Sequence, residues 1–146
     1  MWSQPSTARE SVTESVDVVV DASVVLQILL AGGGLGPLQG HTLHAPALMP
    51  SEVTSTLREL VWRGDAPDDA ARSALATLGT LPITHDSLGA LAIEATAVAA
   101  QLGWAKTYDA EYVALARRLD CPLLTLDARL RRGAGALINV LTPLDL

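Results

Sequence analysis

Short β-branched and apolar runs alternate along the chain with longer stretches in which apolar residues recur every three or four positions. The first run, Asp17 to Asp21, is continuously apolar between its two acids, the pattern of a central parallel strand buried on both faces. Ala22 to Leu30 has helical composition and stops at Gly32-Gly33-Gly34. That glycine run is followed by no Lys-Ser/Thr pair and so reads as a helix stop, not a phosphate loop. Thr42 to Ala45 predicts a second strand. Pro50-Ser51-Glu52 predicts a helix start, with Ser51 or a neighbour as cap and Val53, Leu57, Leu60 and Val61 on one face, ending at Gly64. Pro67 suits the first turn of the next helix, where Asp68 and Asp69 favour the dipole.

Leu81 to Thr84 predicts a third strand, and Asp86 or Ser87 a cap for an Ala/Leu-rich helix running towards Gly103. Thr107 is expected to cap a helix over Tyr108 to Leu119, with Tyr112, Leu115, Ala116 and Leu119 as its apolar stripe. Pro122 to Leu126 predicts a strand, Ala128 to Arg132 a helical turn, and Ile138 to Leu141 a last strand. Strands alternating with helices specify an α/β fold, a three-layer α/β/α sandwich on a central, mostly parallel sheet. Residues 1–15, polar and without periodicity, read as a flexible tail before one domain over 16–146.

Composition narrows the class. A chain of 146 residues buries one real core, and this core lacks Phe altogether. The single cysteine, Cys121, rules out an internal disulfide and a Cys-based zinc site, and it reads as a small buried hydrophobe beside a strand. A net charge of −6 argues against a protein that coats nucleic acid, but not against an enzyme whose acids are gathered at one site. Lys106, Arg117, Arg118, Arg129, Arg131 and Arg132 fall in the last third, and solvated helix faces and phosphate contact are equally weighted for them. The polar first residues do not resemble a signal peptide, and the run Ala22 to Ala31 is too short to span a bilayer, so a cytoplasmic protein is expected.

Four acids sit at the edges of the apolar runs: Asp21 after Val18-Val19-Val20, Glu52 after Pro50-Ser51, Asp109 after Thr107-Tyr108, and Asp127 after Thr125-Leu126. In an open parallel sheet, binding sites form beyond the carboxyl ends of the strands. Asp21 and Asp127 end two predicted strands, and Glu52 and Asp109 begin helices that should start at the same edge. Taken singly, each acid is explained as a helix cap or a dipole partner. Taken together, their mutual repulsion calls for a cation, and oxygen-only ligands suit Mg²⁺ or Mn²⁺. The chemistry this allows is in-line hydrolysis of a phosphodiester.

Val-Val-Val-Asp21-Ala-Ser23, Pro50-Ser-Glu52-Val, Tyr108-Asp109-Ala-Glu-Tyr-Val-Ala-Leu-Ala116 and Leu-Leu-Thr125-Leu-Asp127-Ala-Arg129-Leu together resemble the PIN-domain family, and within it the VapC-type toxins. The resemblance runs from about Asp17 onward, with the motifs in the family's order. It implies a Mg²⁺- or Mn²⁺-dependent endoribonuclease, usually a homodimer, inhibited by a cognate antitoxin protein. It places the family's catalytic and metal-ligating acids at Asp21, Glu52, Asp109 and Asp127, and its small hydroxyl residues, which hydrogen-bond the ligands, at Ser23 and Thr125. A basic side chain of the antitoxin entering the acidic pocket, with the helix faces around Val24 to Leu30 and Val53 to Val61 taking an amphipathic segment, follows from that picture.

Rival readings are few. A phosphoryl-transfer aspartate would need an Asp-x-Asp pair, and Ala-Ser-Val-Val follows Asp21 instead. A housekeeping PIN-domain nuclease and a catalytically silent PIN-like interaction module are the alternatives within the family. His41, His44 and His85 lie outside the four motifs and read as structural or exposed, not as metal-free acid–base groups. Trp104, close to Lys106, reads as a partly buried rim residue, with base stacking as its functional alternative.

Overall fold

A computed structural model of the chain describes residues 2–3, 15–86 and 88–146. Of the flexible tail expected over residues 1–15, residues 1 and 4–14 lie outside those described. Five strands, β1 (Asp17–Val20), β2 (Thr42–Pro46), β3 (Ile83–Asp86), β4 (Leu123–Leu124) and β5 (Val140–Leu141), pair in the order β3-β2-β1-β4-β5, every pair parallel. Six helices accompany them: α1 (Ala22–Leu30), α2 (Met49–Trp62), α3 (Asp68–Leu78), α4 (Leu88–Leu102), α5 (Tyr108–Leu119) and α6 (Ala128–Ala134). α1, α2 and α3 pack on one another, while α5 lies against β1, β2 and β4 and carries α4 on its outside, which makes the α/β/α sandwich expected.

β1 is central because Val18, Val19 and Val20 are buried and tolerate helices on both faces. The strand order reverses at β1, since the chain steps from β1 to β2 on one side and to β4 on the other. That is the switch point where an open parallel sheet makes a crevice at its carboxyl edge. The ladder continues to the very end of both central strands: the Asp21 amide donates to the Leu124 carbonyl (3.2 Å) and the Thr125 amide to the Leu141 carbonyl (3.0 Å). The residues just past β1 and β4 are therefore held rigidly at that edge.

α5 is buried from Ala110 to Ala116, because it sits between the sheet and α4 and not on the surface. The stripe of Tyr112, Leu115, Ala116 and Leu119 predicted for it covers only part of the buried surface; even Glu111 on the same helix is just 8% exposed. The α1 stop at the glycine run is observed. The Gly33 amide donates to the Ile28 carbonyl (2.8 Å), with Gly33 at φ +87°, and a Cβ there would sit 2.6 Å from Thr77 Cγ2. Only glycine satisfies both the left-handed backbone and that approach to α3.

Several boundaries and caps differ from expectation, and β4 and β5 are shorter than the runs Pro122 to Leu126 and Ile138 to Leu141. β3 runs over Ile83–Asp86 and not from Leu81, because Thr80 and Leu81 close the turn after α3 and Pro82 has no amide to donate. α2 begins at Met49, so Ser51 lies inside the helix and caps nothing, with Pro50 in the first turn. Thr107 occupies the cap position of α5 but only through its carbonyl, which accepts from the Glu111 amide (3.0 Å); its hydroxyl makes no capping bond. Of the two capping candidates for α4, Asp86 ends β3 and approaches Arg118 (3.8 Å), and Ser87 lies outside the described residues. No helix among the described residues is long and apolar enough to cross a membrane.

Leu115 is fully buried where α5 meets the sheet. Leu115→Ala should therefore lower the unfolding free energy by about 2–5 kcal/mol, read from the denaturant midpoint at unchanged slope.

Candidate active site

The carboxylate of Asp21 is the innermost group of the site. It follows β1, caps α1, and is only 6% exposed. Its Oδ1 accepts from the Val24 amide (3.1 Å) and the Ser23 hydroxyl (2.5 Å), and its Oδ2 from the Thr125 hydroxyl (2.5 Å). Both hydroxyls are themselves aligned by the loop after β4: Ser23 Oγ accepts from the Leu126 amide (3.0 Å) and Thr125 Oγ1 from the Asp127 amide (3.0 Å). A donor chain of this kind polarises each hydroxyl towards the carboxylate. Burial nevertheless dominates and pushes the Asp21 carboxyl above the ordinary Asp range, with those hydrogen bonds opposing it.

The other acids enter from three further elements. Asp127 caps α6, its Oδ1 accepting from the Arg129 and Leu130 amides (2.8 and 3.4 Å). Glu52 stands in the first turn of α2 and its Oε1 accepts from the Tyr112 hydroxyl (2.7 Å). Asp109 stands half-buried in the first turn of α5, with no hydrogen bond to its carboxylate among the described residues. Burial raises the Glu52 carboxyl, and the charges of Asp109, Asp21 and Glu111 raise it further against the Tyr112 hydrogen bond. Burial likewise raises Asp109, followed by the charge of Asp127, with Arg129 opposing both. Asp21, Glu52, Asp109 and Asp127 are thus linked by mutual repulsion.

An all-carboxylate donor set fits a hard divalent cation. Among the described residues no three His, Cys, Asp or Glu side chains stand close enough together to hold one ion as they lie. The reason is local. Asp21 turns both oxygens to protein donors, Glu52 turns Oε1 to Tyr112, and Asp127 turns Oδ1 to the amides of α6. Like charges without a counter-ion face donors and not one another.

Beside Glu52 and Asp109 opens a cleft of about 600 Å³ whose wall carries Trp104, Lys106, Tyr108 and Arg129. Four of the six basic residues of the last third therefore separate into two groups. Lys106 and Arg129 border the acids, whereas Arg118 pairs with Glu94 (3.1 Å) and Arg117 reaches Gln101 (3.4 Å) along the α4–α5 seam. The histidines stand apart from the acids. His44 Nε2 meets Asp17 Oδ1 (2.8 Å) at the start of β1, and His85 lies in β3 at the sheet edge. Cys121 packs half-buried against the core, and burial pushes its thiol up to about 11, which leaves it unreactive. The helix faces proposed to receive an amphipathic segment are largely spent in the core: Val24, Val25, Ile28, Leu29, Val53 and Leu57 are all buried.

Tyr112 is the site residue that the sequence reading missed, since it was assigned to an apolar stripe. Its partner, Glu52, lies 60 residues away on another helix. The one local signal was a tyrosine inside a stripe that otherwise needs no hydroxyl. Glu111 was missed in the same way, as a charge on a helix that the pattern left half exposed.

A parallel α/β sandwich with carboxylates gathered at its carboxyl edge defines a class of acidic, cation-seeking sites. The chain belongs to the PIN-domain family, whose model matches residues 18–136. It is 40% identical over 114 residues to VapC ribonuclease Mb0985 of Mycobacterium bovis, an alignment covering 77% of this chain and 87% of that one. Two solved structures share the fold. PAE2754 from Pyrobaculum aerophilum matches with a TM-score of 0.65 at 21% identity, covering 92% of each chain. A chain of a toxin–antitoxin complex from Klebsiella pneumoniae matches with a TM-score of 0.57 at 17% identity, covering 86% of this chain and 97% of that one.

Two substitutions with opposite signs test the electrostatics of the metal-free protein. Asp109→Asn removes a repelled charge and should raise the melting temperature at neutral pH. The Asp109 value is higher folded than unfolded, so the penalty is complete above the folded value and absent below the unfolded one. The gain should accordingly shrink as pH falls through the carboxylate range. Thr125→Val strips a donor from the buried Asp21 Oδ2 and should cost about 1–3 kcal/mol at neutral pH.

Proposed function

We propose that the chain is a divalent-metal-dependent endoribonuclease and the toxin of a toxin–antitoxin pair. One observation carries the reading: four acids from four separate elements border the carboxyl edge of the sheet near its switch point, within reach of one another's charge, in a chain 40% identical to a VapC ribonuclease. Asp21, Glu52, Asp109 and Asp127 are the groups that would hold Mg²⁺ or Mn²⁺. When bound, the cation would supply charge stabilisation at the phosphate and make water easier to deprotonate.

The chain's own residues do the rest. Thr125 and Ser23 hold Asp21 in one orientation, as hydrogen-bond partners outside a ligand sphere do. Tyr112 occupies Glu52 Oε1 and leaves Oε2 free to orient the attacking water. Water oxygen bonds to phosphorus, the phosphorus–oxygen bond opposite it breaks, and the departing ribose oxygen takes up a proton. Lys106 and Arg129 bring positive charge to a polyanionic substrate beside the acids.

Such an acidic pocket also suits an inhibitor. A cognate antitoxin protein presenting an Arg or Lys would replace the cation by charge-assisted hydrogen bonds. The working form is a cytoplasmic homodimer.

Asp21→Asn and Asp109→Asn should fold, bind Mn²⁺ weakly and lose RNA cleavage; full cleavage by both would sink the mechanism. Millimolar Mg²⁺ should raise the melting temperature of the unaltered protein through preferential binding to the folded state. Neutralising two of the four acids should abolish that rise. Expressed alone, the protein should arrest growth, and co-expression with the product of the adjacent reading frame should relieve it. Harmless expression, with no co-purifying neighbour, would remove the toxin assignment and leave the nuclease chemistry to stand on the cleavage assay.

A further inference from the structure

The chain has five aromatic residues, three Trp and two Tyr, and no Phe. Trp104 and Tyr108 line the cleft beside Glu52 and Asp109, and Tyr112 holds Glu52 from below. Tyr112 is buried in the core and Trp104 packs partly against it, whereas packing does not account for Tyr108. Tyr108 is 61% exposed and contributes little to the core. Trp104 is half-buried against α6, where a Cβ on Gly133 would sit 2.8 Å from its Cζ2. Glycine at 133 is what lets the indole lie this close, and the contact fixes one face of the cleft wall.

Two cations stand on the same wall. Lys106 is exposed and has no ion pair among the described residues, and Arg129 touches Asp127 only loosely at 3.7 Å. In a chain of net charge −6, an exposed lysine without an ion pair and a loosely paired arginine beside it are available to an anionic ligand. A volume of about 600 Å³ lies within the range of sites that enclose a small-molecule-sized group, about 300–1,000 Å³. Flat aromatic faces together with point cations match a nucleotide, whose base is a π surface and whose phosphate is an anion.

We propose that this cleft is a nucleobase subsite: one base, unstacked from its neighbours, lies against Trp104 and Tyr108 while Lys106 and Arg129 take the flanking phosphates. The subsite rests on the ribonuclease reading above and adds to it the residues that choose the nucleotide next to the scissile bond. A paired base keeps its stacking partners and cannot enter, so the cleft selects unpaired nucleotides. Trp104 is then both a rim residue and a platform, and Gly133 is its positioning residue.

Anisotropy of a labelled single-stranded RNA, measured with Ca²⁺ in place of Mg²⁺, tests the proposal without requiring cleavage. Tyr108→Ala and Trp104→Leu should each weaken binding about fivefold or more. Lys106→Ala should weaken it and flatten its salt dependence. An RNA made abasic at one nucleotide after another should, at a single position, bind the unaltered protein as weakly as intact RNA binds Tyr108→Ala, with no further loss when the two changes are combined. In a chain carrying Trp2→Phe and Trp62→Phe, Trp104 is the sole indole, and RNA should quench its fluorescence. Gly133→Ala, which displaces the indole, should reduce that quenching. Undiminished binding by Tyr108→Ala, an exposed position whose change leaves the fold intact, would overturn the subsite, as would abasic RNAs that all bind like the intact strand. Base-dependent binding without Mg²⁺-dependent cleavage would keep the subsite and remove the nuclease; cleavage without base dependence would do the reverse.

Discussion

The buried carboxylate of Asp21 is the constraint on which the site depends. An unpaired charge at that depth would be expensive, and the structure meets it with an amide of α1 and two hydroxyls. One of those hydroxyls belongs to Thr125, 104 residues further along the chain, so the interaction clamps the end of β1 to the end of β4. Because Ser23 and Thr125 also receive the amides of Leu126 and Asp127, the turn that presents Asp127 is shaped around Asp21. A change at Asp21 therefore reaches Asp127 through two hydrogen bonds and no side-chain contact of its own.

Satisfying one acid does not relieve the group. Asp21, Glu52 and Asp109 are all held above the ordinary carboxylate range, each first by burial, and Glu52 and Asp109 further by neighbouring negative charge. A sequence selected for stability alone would replace them, since each has an uncharged substitute of similar size. The fold tolerates them because they are few and lie at one edge, while Val18, Val19, Val20, Leu115, Leu123 and Leu124 fill the interior behind them. Tyr112 shows how close the two demands come. It is 1% exposed, the one aromatic in the core, and its hydroxyl is spoken for by Glu52.

Strand positions, and the acids that follow two of them, were legible in the sequence because both depend on short-range signals. Val18-Val19-Val20-Asp21 and Leu123-Leu124-Thr125-Leu126-Asp127 declare buried strands that end in acids, and the parallel α/β rule then places those ends together. Element ends were less legible. Leu81 looks like strand, but Pro82 and the turn after α3 move β3 two residues on, and His85 and Asp86 are polar because β3 is the sheet edge. Ser51 and Thr107 have capping side chains at plausible positions, and neither hydroxyl caps. What no local pattern could supply was pairing across elements: Tyr112 with Glu52, Trp104 against Gly133, and Arg118 withdrawn to Glu94. The same limit explains why the apolar face of α1 was taken as a docking surface. Periodicity identifies an apolar face without saying that α2 and α3 already pack against the helix.

Sorting Lys106, Arg117, Arg118 and Arg129 by their partners explains how an acidic protein can present a site to a polyanion. Arg117 and Arg118 are engaged with Gln101, Glu94 and Asp86 along α5, so their charge belongs to the α4–α5 seam. Lys106 and Arg129 remain at the cleft, and a charge is felt over only about 8 Å at physiological salt. Over that range a ligand phosphate meets those two cations and the four acids, not the net charge of −6 spread over the whole chain. Whether the local field attracts or repels it turns on what neutralises the carboxylates. A divalent cation would do so and leave Lys106 and Arg129 as the dominant charges. A basic side chain of an inhibitor would do so while filling the space. Substrate and inhibitor would thus compete for one electrostatic vacancy, which the fold creates by burying Asp21 and crowding three further acids around it.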